Sequence, residues 1–241
     1  MKPLQLAARL ALVAAVTLLG ACAHAPPGEP NDPLEPMNRA VLRFNLAADR
    51  YVLRPVAKGY EAVTPAPVRK GVTNFFRNLQ EPRTVVNGLL QGKVKQAASD
   101  TGRFLLNSTA GFAGFVDVAT DAGLPRHDED FGQTIGYYGV GDGWYLMLPF
   151  LGPSSNRDLI GRGGDYFTGY GYYVDEPEVN YTAQAIDVID SRVRLFPADP
   201  LLEEALDKYI LVRTAYLQQR LNKVYDGAPP ARLLYGVEEE E

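Results

Sequence analysis

Cys22, His24 and His127 are the side chains best suited to nucleophilic, metal or proton-transfer chemistry, because the chain holds one cysteine and two histidines. One cysteine excludes an internal disulfide framework and a multi-cysteine metal site. His127 lies in Arg126-His-Asp-Glu-Asp130. That context allows an acid-paired imidazole, although a polar loop residue is the simpler reading. Asp117, Asp121, Asp128, Glu129, Asp130 and Asp165 offer oxygens for a hard cation but lack the alternating spacing of an EF-hand loop. Ser154-Ser-Asn-Arg-Asp158 suits a catalytic loop or, more simply, a helix or turn cap. Gly161-Arg-Gly-Gly164 is weak as a phosphate loop. No GxSxG, HExxH or GxxxxGK[ST] motif occurs. These residues assign no catalytic group, no metal and no cofactor, and the expectation is a protein that is not an enzyme.

Cys22 has a different chemistry in view. Lys2 and Arg9 flank the uncharged run Leu10 to Leu19, and the run ends in Leu19-Gly-Ala-Cys22. Ten residues suit the apolar region of a secretory signal and are about half of what a membrane span requires. Leucine, two small residues and cysteine are similar to the bacterial lipobox, in which the thiol is acylated and the cysteine becomes the first residue. Residues 1–21 are expected to be a signal peptide, and 22–31 a lipidated tether rich in proline. More than one acyl chain makes such an anchor slow to release. His24 falls in that tether. Ala23 rather than aspartate follows the cysteine, which in similar lipoproteins implies export to the outer membrane.

The composition fits a folded chain: 241 residues, 46% apolar and 22% charged. Net charge is -5, and loss of Lys2 and Arg9 takes it to -7. That balance argues against nucleic acid as a partner.

The elements that must position the remaining residues are mainly helices. Val41, Phe44, Ala48, Tyr51 and Val52 share a helical face over Asn38 to Leu53, with Asn38 or Asp32 opening it and Pro55 ending it. Val68, Val72, Phe75, Phe76 and Leu79 mark a second helix. Pro82 should start a third, carrying Val85, Val86, Leu89 and Leu90. After Gly92 a fourth presents Val94, Ala97, Ala98, Thr101, Phe104 and Leu105 on one face. Phe104 to Val116 holds 13 residues without a charge. As a helix it spans about 20 Å, too short for a bilayer core of roughly 30 Å. It suits a core helix or a segment lying partway into one leaflet.

Phe131 to Tyr173 carries 11 glycines and 11 aromatics and reads largely as loop, with one short strand or helix at Trp144 to Phe150. Its tyrosines suit a membrane interface, a protein interface or a ligand groove equally. Helical pattern resumes over Val179 to Leu195. The clearest helix is Leu201 to Val224, capped by Asp199 with Pro200 in its first turn. The fold class expected is mostly α, a single helical domain over 32–226, followed by a flexible acidic tail, 227–241.

Longer blocks carry a resemblance. Asp32-Pro-Leu-Glu-Pro-Met-Asn-Arg39 follows the tether. Phe44-Asn45, Arg54-Pro-Val56, Asn78-Leu-Gln-Glu-Pro82, Leu106-Asn-Ser-Thr109, Asp130-Phe-Gly-Gln-Thr-Ile-Gly136, Gly152-Pro-Ser154, Arg157-Asp158 and Tyr209-Ile210 with Arg213 and Tyr216 follow in order. From Asp32 to about Tyr225 the chain resembles the VacJ/MlaA phospholipid-transport lipoproteins of the Gram-negative outer membrane.

The resemblance implies a flattened helical ring with an amphipathic channel, anchored through Cys22 on the periplasmic side and set into the inner leaflet. It implies three partners: phospholipids, a trimeric outer-membrane porin and a periplasmic phospholipid carrier. Misplaced outer-leaflet phospholipid would pass to that carrier, preserving lipid asymmetry. The matching N-terminal segment, here Arg43 and Phe44, would gate access. Phe112 and Phe115 would face lipid or the ring core. Arg157 and Arg213 would meet headgroups or form internal ion pairs. A porin-associated lipoprotein without a lipid path, and a periplasmic lipid hydrolase, are the rival readings.

Overall fold

The computed structural model describes residues 32–231 and 233. The signal peptide, Cys22, the tether and the acidic run Glu238 to Glu241 lie outside the described residues. The domain is mostly helical, with a single two-stranded hairpin among the described residues.

Helix α1 (Glu35–Ala48) runs through a π turn (Asp49–Leu53) into α2 (Arg54–Val63). The expectation that Pro55 ends the helix was wrong. In the wide turn the Arg54 N–H donates to the Asp49 carbonyl. Pro55 then lies in the first turn of α2, where its missing N–H costs little.

Helix α3 (Ala66–Leu90) is one 25-residue element, and Pro82 lies inside it rather than starting a new helix. Its cross-chain contacts outweigh the lost backbone bond, because Thr73, Phe76, Asn78, Glu81, Thr84, Asn87 and Gly88 are buried along one face. Gly92, at φ +75, ends α3, with Lys93 N donating to the Gly88 carbonyl at 2.9 Å. Helix α4 (Val94–Thr109) then packs back along α3.

The uncharged stretch is not one helix. It ends as helix at Thr109 and turns tightly, with Phe112 and Ala113 both at φ 57. The Gly114 N–H donates to the Asn107 carbonyl at 2.8 Å. A Cβ on Gly114 would lie 2.6 Å from Asn78 Cβ, so the loop seats directly on α3.

The glycine- and aromatic-rich region is far more ordered than a loop. After α5 (Val118–Asp121) it contains α6 (Phe131–Tyr137), β1 (Tyr145–Leu148), β2 (Gly152–Ser155), α7 (Asn156–Tyr166) and α8 (Tyr170–Tyr173). Side-chain caps explain the helices that composition obscured. Asp130 accepts from Gln133 N, and Ser155 accepts from Asp158 N. The cap reading of the Ser154–Asp158 segment is the one realised.

The antiparallel hairpin pairs Tyr145 with Ser155 and Leu148 with Gly152. Two asparagines on α1, seven residues apart and so on one face, clasp the free edge of β1. Asn38 Nδ2 donates to the Tyr145 carbonyl at 2.9 Å, and its Oδ1 accepts from Met147 N at 2.8 Å. Asn45 makes the same pair of bonds with Leu148 and Phe150, both 2.9 Å. The Asn38 amide satisfies strand groups that would otherwise be buried without partners.

Helix α9 (Pro177–Arg194) packs on α2 and α3. The expected single helix from Leu201 to Val224 is two: α10 (Asp199–Glu204) and α11 (Lys208–Val224). Ala205 is extended, and Asp207 accepts from Tyr209 N and Ile210 N to start a new helix. Asp199, expected as the cap, instead lies inside α10 and pairs with Arg54 and Arg192, so Asp207 is the aspartate that caps here. The small apolar core joins Leu42, Tyr145, Met147 and Tyr209, with Val212, Tyr216 and Leu217 of α11 against it.

Candidate functional site

The domain is polar inside and apolar outside. Among the described residues nine hydrophobic side chains are buried, against 21 polar or charged ones, while 37 large hydrophobic side chains are exposed. Much of the apolar stripes on α3 and α4 points outward: Val68, Val86, Leu89, Leu90, Val94 and Leu105 are exposed. The buried faces of α3 and α4 instead carry Glu81, Thr84, Asn87, Asp100, Arg103 and Asn107. An apolar exterior of that extent is suited to contact with a membrane or another protein.

The interior polar groups are arranged in networks. Arg103 donates to Asp117 at 3.1 Å and to the Leu124 carbonyl at 2.5 Å, with Glu81 3.6 Å away. Burial raises the Asp117 carboxyl, but hydrogen bonds from Thr120 and Asn107 and the Arg103 charge outweigh it and bring it down to about 2. Arg220 bonds both Asp130 and Asp158.

Glu81 is 2% exposed, and burial pushes its carboxyl up to about 7 despite Arg126 and Arg103. Its protonated form is therefore favoured by folding. That stability is fully present below about pH 4.5 and lost as pH rises through about 7. Glu81→Gln should accordingly raise the thermal midpoint at pH 8 and leave it nearly unchanged at pH 4. A pH-independent difference between the two proteins would refute this.

The polar residues flagged for chemistry are mostly committed to structure. His127 Nδ1 and Asp100 Oδ1 are 2.7 Å apart, so the acid-paired reading of this histidine is realised; it is the only side-chain hydrogen bond His127 makes among the described residues. Asp128 pairs with Arg83 and Lys223, and Asp130 with Arg220. No group of three metal-binding side chains converges among the described residues. Gly161 and Gly164 lie in α7 against Gly132 and Phe131, which gives this glycine run a helix-packing role.

The candidate site residues fall in separate places. Cys22 lies outside the described residues. Arg43 is exposed on α1. Beside it, Phe44 meets Phe150 at the hairpin tip edge-on, with centroids 5.0 Å apart. Phe112 caps the loop after α4 at 82% exposure, while Phe115 stacks on Phe75 at 5.0 Å. Arg157 and Arg213 are only 6% and 8% exposed. Arg157 pairs with Asp142 and Asp158, and Arg213 with Asp32 at 2.9 Å. Of the two roles open to these arginines, internal ion pairing is the one their partners occupy. Tyr145 links the two networks by stacking edge-on with Tyr209, which donates to Asp32, and Tyr216, which donates to Asp158.

Aromatics outside this interior form an exposed cluster. Tyr166, Phe167, Tyr172 and Tyr173 pack edge-to-face at centroid distances of 5.2–5.6 Å. An apolar groove lined by Phe75, Phe76, Val179, Ala183 and Ile186 lies between α3 and α9. No described helix is long and apolar enough to cross a membrane.

A cleft of about 520 Å³ opens where the π turn, α9, α10 and the start of α11 meet. Arg50, Arg54, Arg192 and Lys208 line it, with Asp49, Asp199 and Glu203. Sequence reasoning missed it, as it missed Arg220. Arg213 and Arg220, seven residues apart on the last helix, share a face that also carries Tyr209 and Tyr216, and that repeat is the signal that was available for Arg220.

Residues 30–223 match the family model described as MlaA lipoprotein. The chain is 39% identical over 215 residues to the intermembrane phospholipid transport system lipoprotein MlaA of Escherichia coli strain K12, covering 87% of this chain and 85% of that one. It is 37% identical to the protein of the same name from Haemophilus influenzae, covering 90% of each. A solved structure, from work on the structural basis for maintenance of bacterial outer membrane lipid asymmetry, superposes with a TM-score of 0.72 at 36% identity. That match covers 82% of this chain and 99% of the solved one.

Proposed function

Because the chain belongs to the MlaA lipoprotein family, we propose that it is the outer-membrane lipoprotein of a phospholipid transport system. In this role it removes misplaced phospholipid from the outer leaflet and passes it to a periplasmic carrier, so that lipid asymmetry is kept. Acylated Cys22 holds the domain to the membrane, and the domain sits in the inner leaflet around a lipid path. A trimeric porin supports it there. The protein makes and breaks no covalent bond in lipid; the energy and direction come from its partners.

The observation that carries this reading is the inverted distribution of side chains. Twenty-one buried polar groups and a continuous supply of exposed Val, Leu, Phe and Tyr suit a domain whose solvent is partly hydrocarbon. Helices satisfy their own backbone groups, which hydrocarbon demands. The exposed aromatics fit the boundary between acyl chains and water. A phospholipid needs an apolar wall for its chains and a polar route for its headgroup, and the two kinds of surface lie side by side here. Phe44 against the hairpin tip is placed to sense the hairpin position, which is the gating role proposed for it and Arg43.

Phe112 offers the cleanest test. Its side chain is almost free and its φ is 57, a region that aspartate tolerates better than phenylalanine. Phe112→Asp should therefore fold as well as the wild type. Loss of one buried aromatic ring, about 1.5–3 kcal/mol, should weaken co-flotation of the non-lipidated Cys22→Ala chain with phospholipid vesicles at least tenfold. Equal flotation of both chains would remove this loop from the membrane. Phe115→Asp is a poorer probe, because it also breaks the stack on Phe75.

A further inference from the structure

The cleft between the π turn and the start of α11 gathers four cations: Arg50 and Arg54, four residues apart on one helical run, with Arg192 and Lys208 from distant parts of the chain. Its wall is an ion-pair lattice. Arg192 donates to Asp49 at 2.6 and 2.9 Å and to Asp199 at 3.1 Å, and is 9% exposed. Arg54 reaches Asp199 at 3.1 Å and Glu203 at 2.9 Å. Two guanidinium groups thus occupy all three carboxylates of the cleft. Arg192 Nη1 and Arg54 Nε are buried within the wall without a hydrogen-bond partner, which adds positive potential behind it.

Arg50 and Lys208 line the same cleft and have no carboxylate partner among the described residues. Arg50 has only the face of Tyr51, at 5.9 Å. Leu46, Ala47 and Leu202 complete the lining with an apolar side. The charges are four positive against three negative, with both uncommitted cations exposed. A planar fork and a point charge facing one space suit a phosphate oxygen cluster. A volume of about 520 Å³ lies in the range of small-ligand sites. It holds a headgroup with its glycerol and leaves the acyl chains outside.

We propose that this cleft is a phosphate subsite that binds the headgroup phosphate of an anionic phospholipid, with Arg50 and Lys208 as its direct ligands. Arg54 and Arg192 position the wall and add positive potential. The lipid as source rests on the transport reading above, whereas the phosphate chemistry rests on the cleft alone. Because Asp49, Asp199 and Glu203 are already paired, nothing in the cleft is left for a ligand ammonium group. The subsite should therefore favour phosphatidylglycerol over phosphatidylcholine.

The test is calorimetric titration of the full lipidated protein in detergent with dihexanoyl phosphatidylglycerol, dihexanoyl phosphatidylcholine and glycerol 3-phosphate. Wild type should bind phosphatidylglycerol at least tenfold more tightly than phosphatidylcholine. Arg50→Gln with Lys208→Gln should lose about tenfold or more in that affinity, with an unchanged melting temperature. Arg50→Lys with Lys208→Arg should recover most of it. Glycerol 3-phosphate binding as tightly as the lipid would keep the phosphate subsite and assign it to a soluble ester. Much weaker binding would assign it to the lipid.

Absence of binding by all three probes, or equal affinity in wild type and the glutamine variant, overturns the subsite. Failure of the transport reading would show separately, as unchanged outer-leaflet phospholipid in cells lacking the protein, and would leave these isotherms as they are.

Discussion

Arg220→Ala is expected to destabilise the domain by about 3–5 kcal/mol, the loss that follows removal of one partner from a buried ion pair. Arg220 donates to Asp130 at 2.6 and 2.9 Å and to Asp158 at 2.7 Å. Asp130 caps α6, and Asp158 accepts from Tyr216 and lies in the first turn of α7. One guanidinium therefore ties α11 to α6 and α7. Burial raises the Asp130 carboxyl, but Arg220 overcomes this and holds it well below the usual range. Its ionised form stabilises the wild type above the ordinary aspartate range, and this contribution fades as pH falls through the depressed value. Without Arg220 the two carboxylates are buried with less compensation and their protonated forms are favoured. The difference between the proteins should shrink as pH falls from 7 to 4. Arg220→Lys should recover only part of the loss, since an ammonium cannot make the planar fork. Urea unfolding of the wild type and both variants at the two pH values measures these differences. A difference below about 1 kcal/mol at pH 7 would show that the network carries little of the stability.

Gly161→Val should destabilise by about 3 kcal/mol or more, through overpacking that rigid backbone cannot relieve. A Cβ at Gly161 would stand 2.4 Å from Gly132 N and 2.6 Å from Gly132 Cα. Both neighbours are main-chain atoms, so α6 and α7 must separate. That separation also disturbs the network above, since a Cβ on Gly132 itself would meet Asp158 Oδ1 at 2.5 Å and Arg220 Nη2 at 2.8 Å. Gly163 sits two residues along the same helix with nothing within 4 Å. Gly163→Ala should be neutral or stabilising by up to about 1 kcal/mol. Thermal melts of the two variants separate a packing role from a general intolerance of side chains in α7. Similar losses at both positions would refute the close crossing.

Much of the helical content was legible in the sequence, because amphipathic period and proline or glycine punctuation act locally. α1, α4, α9 and the body of α11 lie close to where those signals place them. The errors have local causes of another kind. Pro55 reads as a stop and Pro82 as a new start, yet a π turn absorbs the first and packing against α4 and the interior holds one helix through the second. Asp207 was overlooked because Asp199-Pro200 already supplied a good start. The glycine-rich region seemed loop-like because its helices are fixed by single caps, Asp130 and Ser155, and by backbone contact at Gly132 and Gly161.

The direction in which each helix face points left no signal in the sequence. A stripe of Val and Leu on a helix is taken as the inward face when the outside is water. On α3 and α4 the stripe faces out, and the alternate face of Glu81, Asn87, Asp100 and Arg103 is the packed one. Period reveals that a helix has two faces but not which solvent each meets. For the same reason Arg157 and Arg213 could be named with both roles open, whereas the cleft of Arg50, Arg54, Arg192 and Lys208 left no local trace. Arg50 and Arg54 share one helical run, but Arg192 and Lys208 come from two distant helices that only the tertiary fold brings to them.

On the proposed function, a membrane-anchored domain removes phospholipid from the outer leaflet. The most direct measurement is outer-leaflet phospholipid in cells lacking the protein, complemented with wild type or with Cys22→Ala. Accumulation in the deletion strain, reversed by wild type and not by Cys22→Ala, is the predicted result. Unaltered outer-leaflet phospholipid in the deletion strain would contradict lipid removal, and full reversal by Cys22→Ala would contradict the need for the anchor.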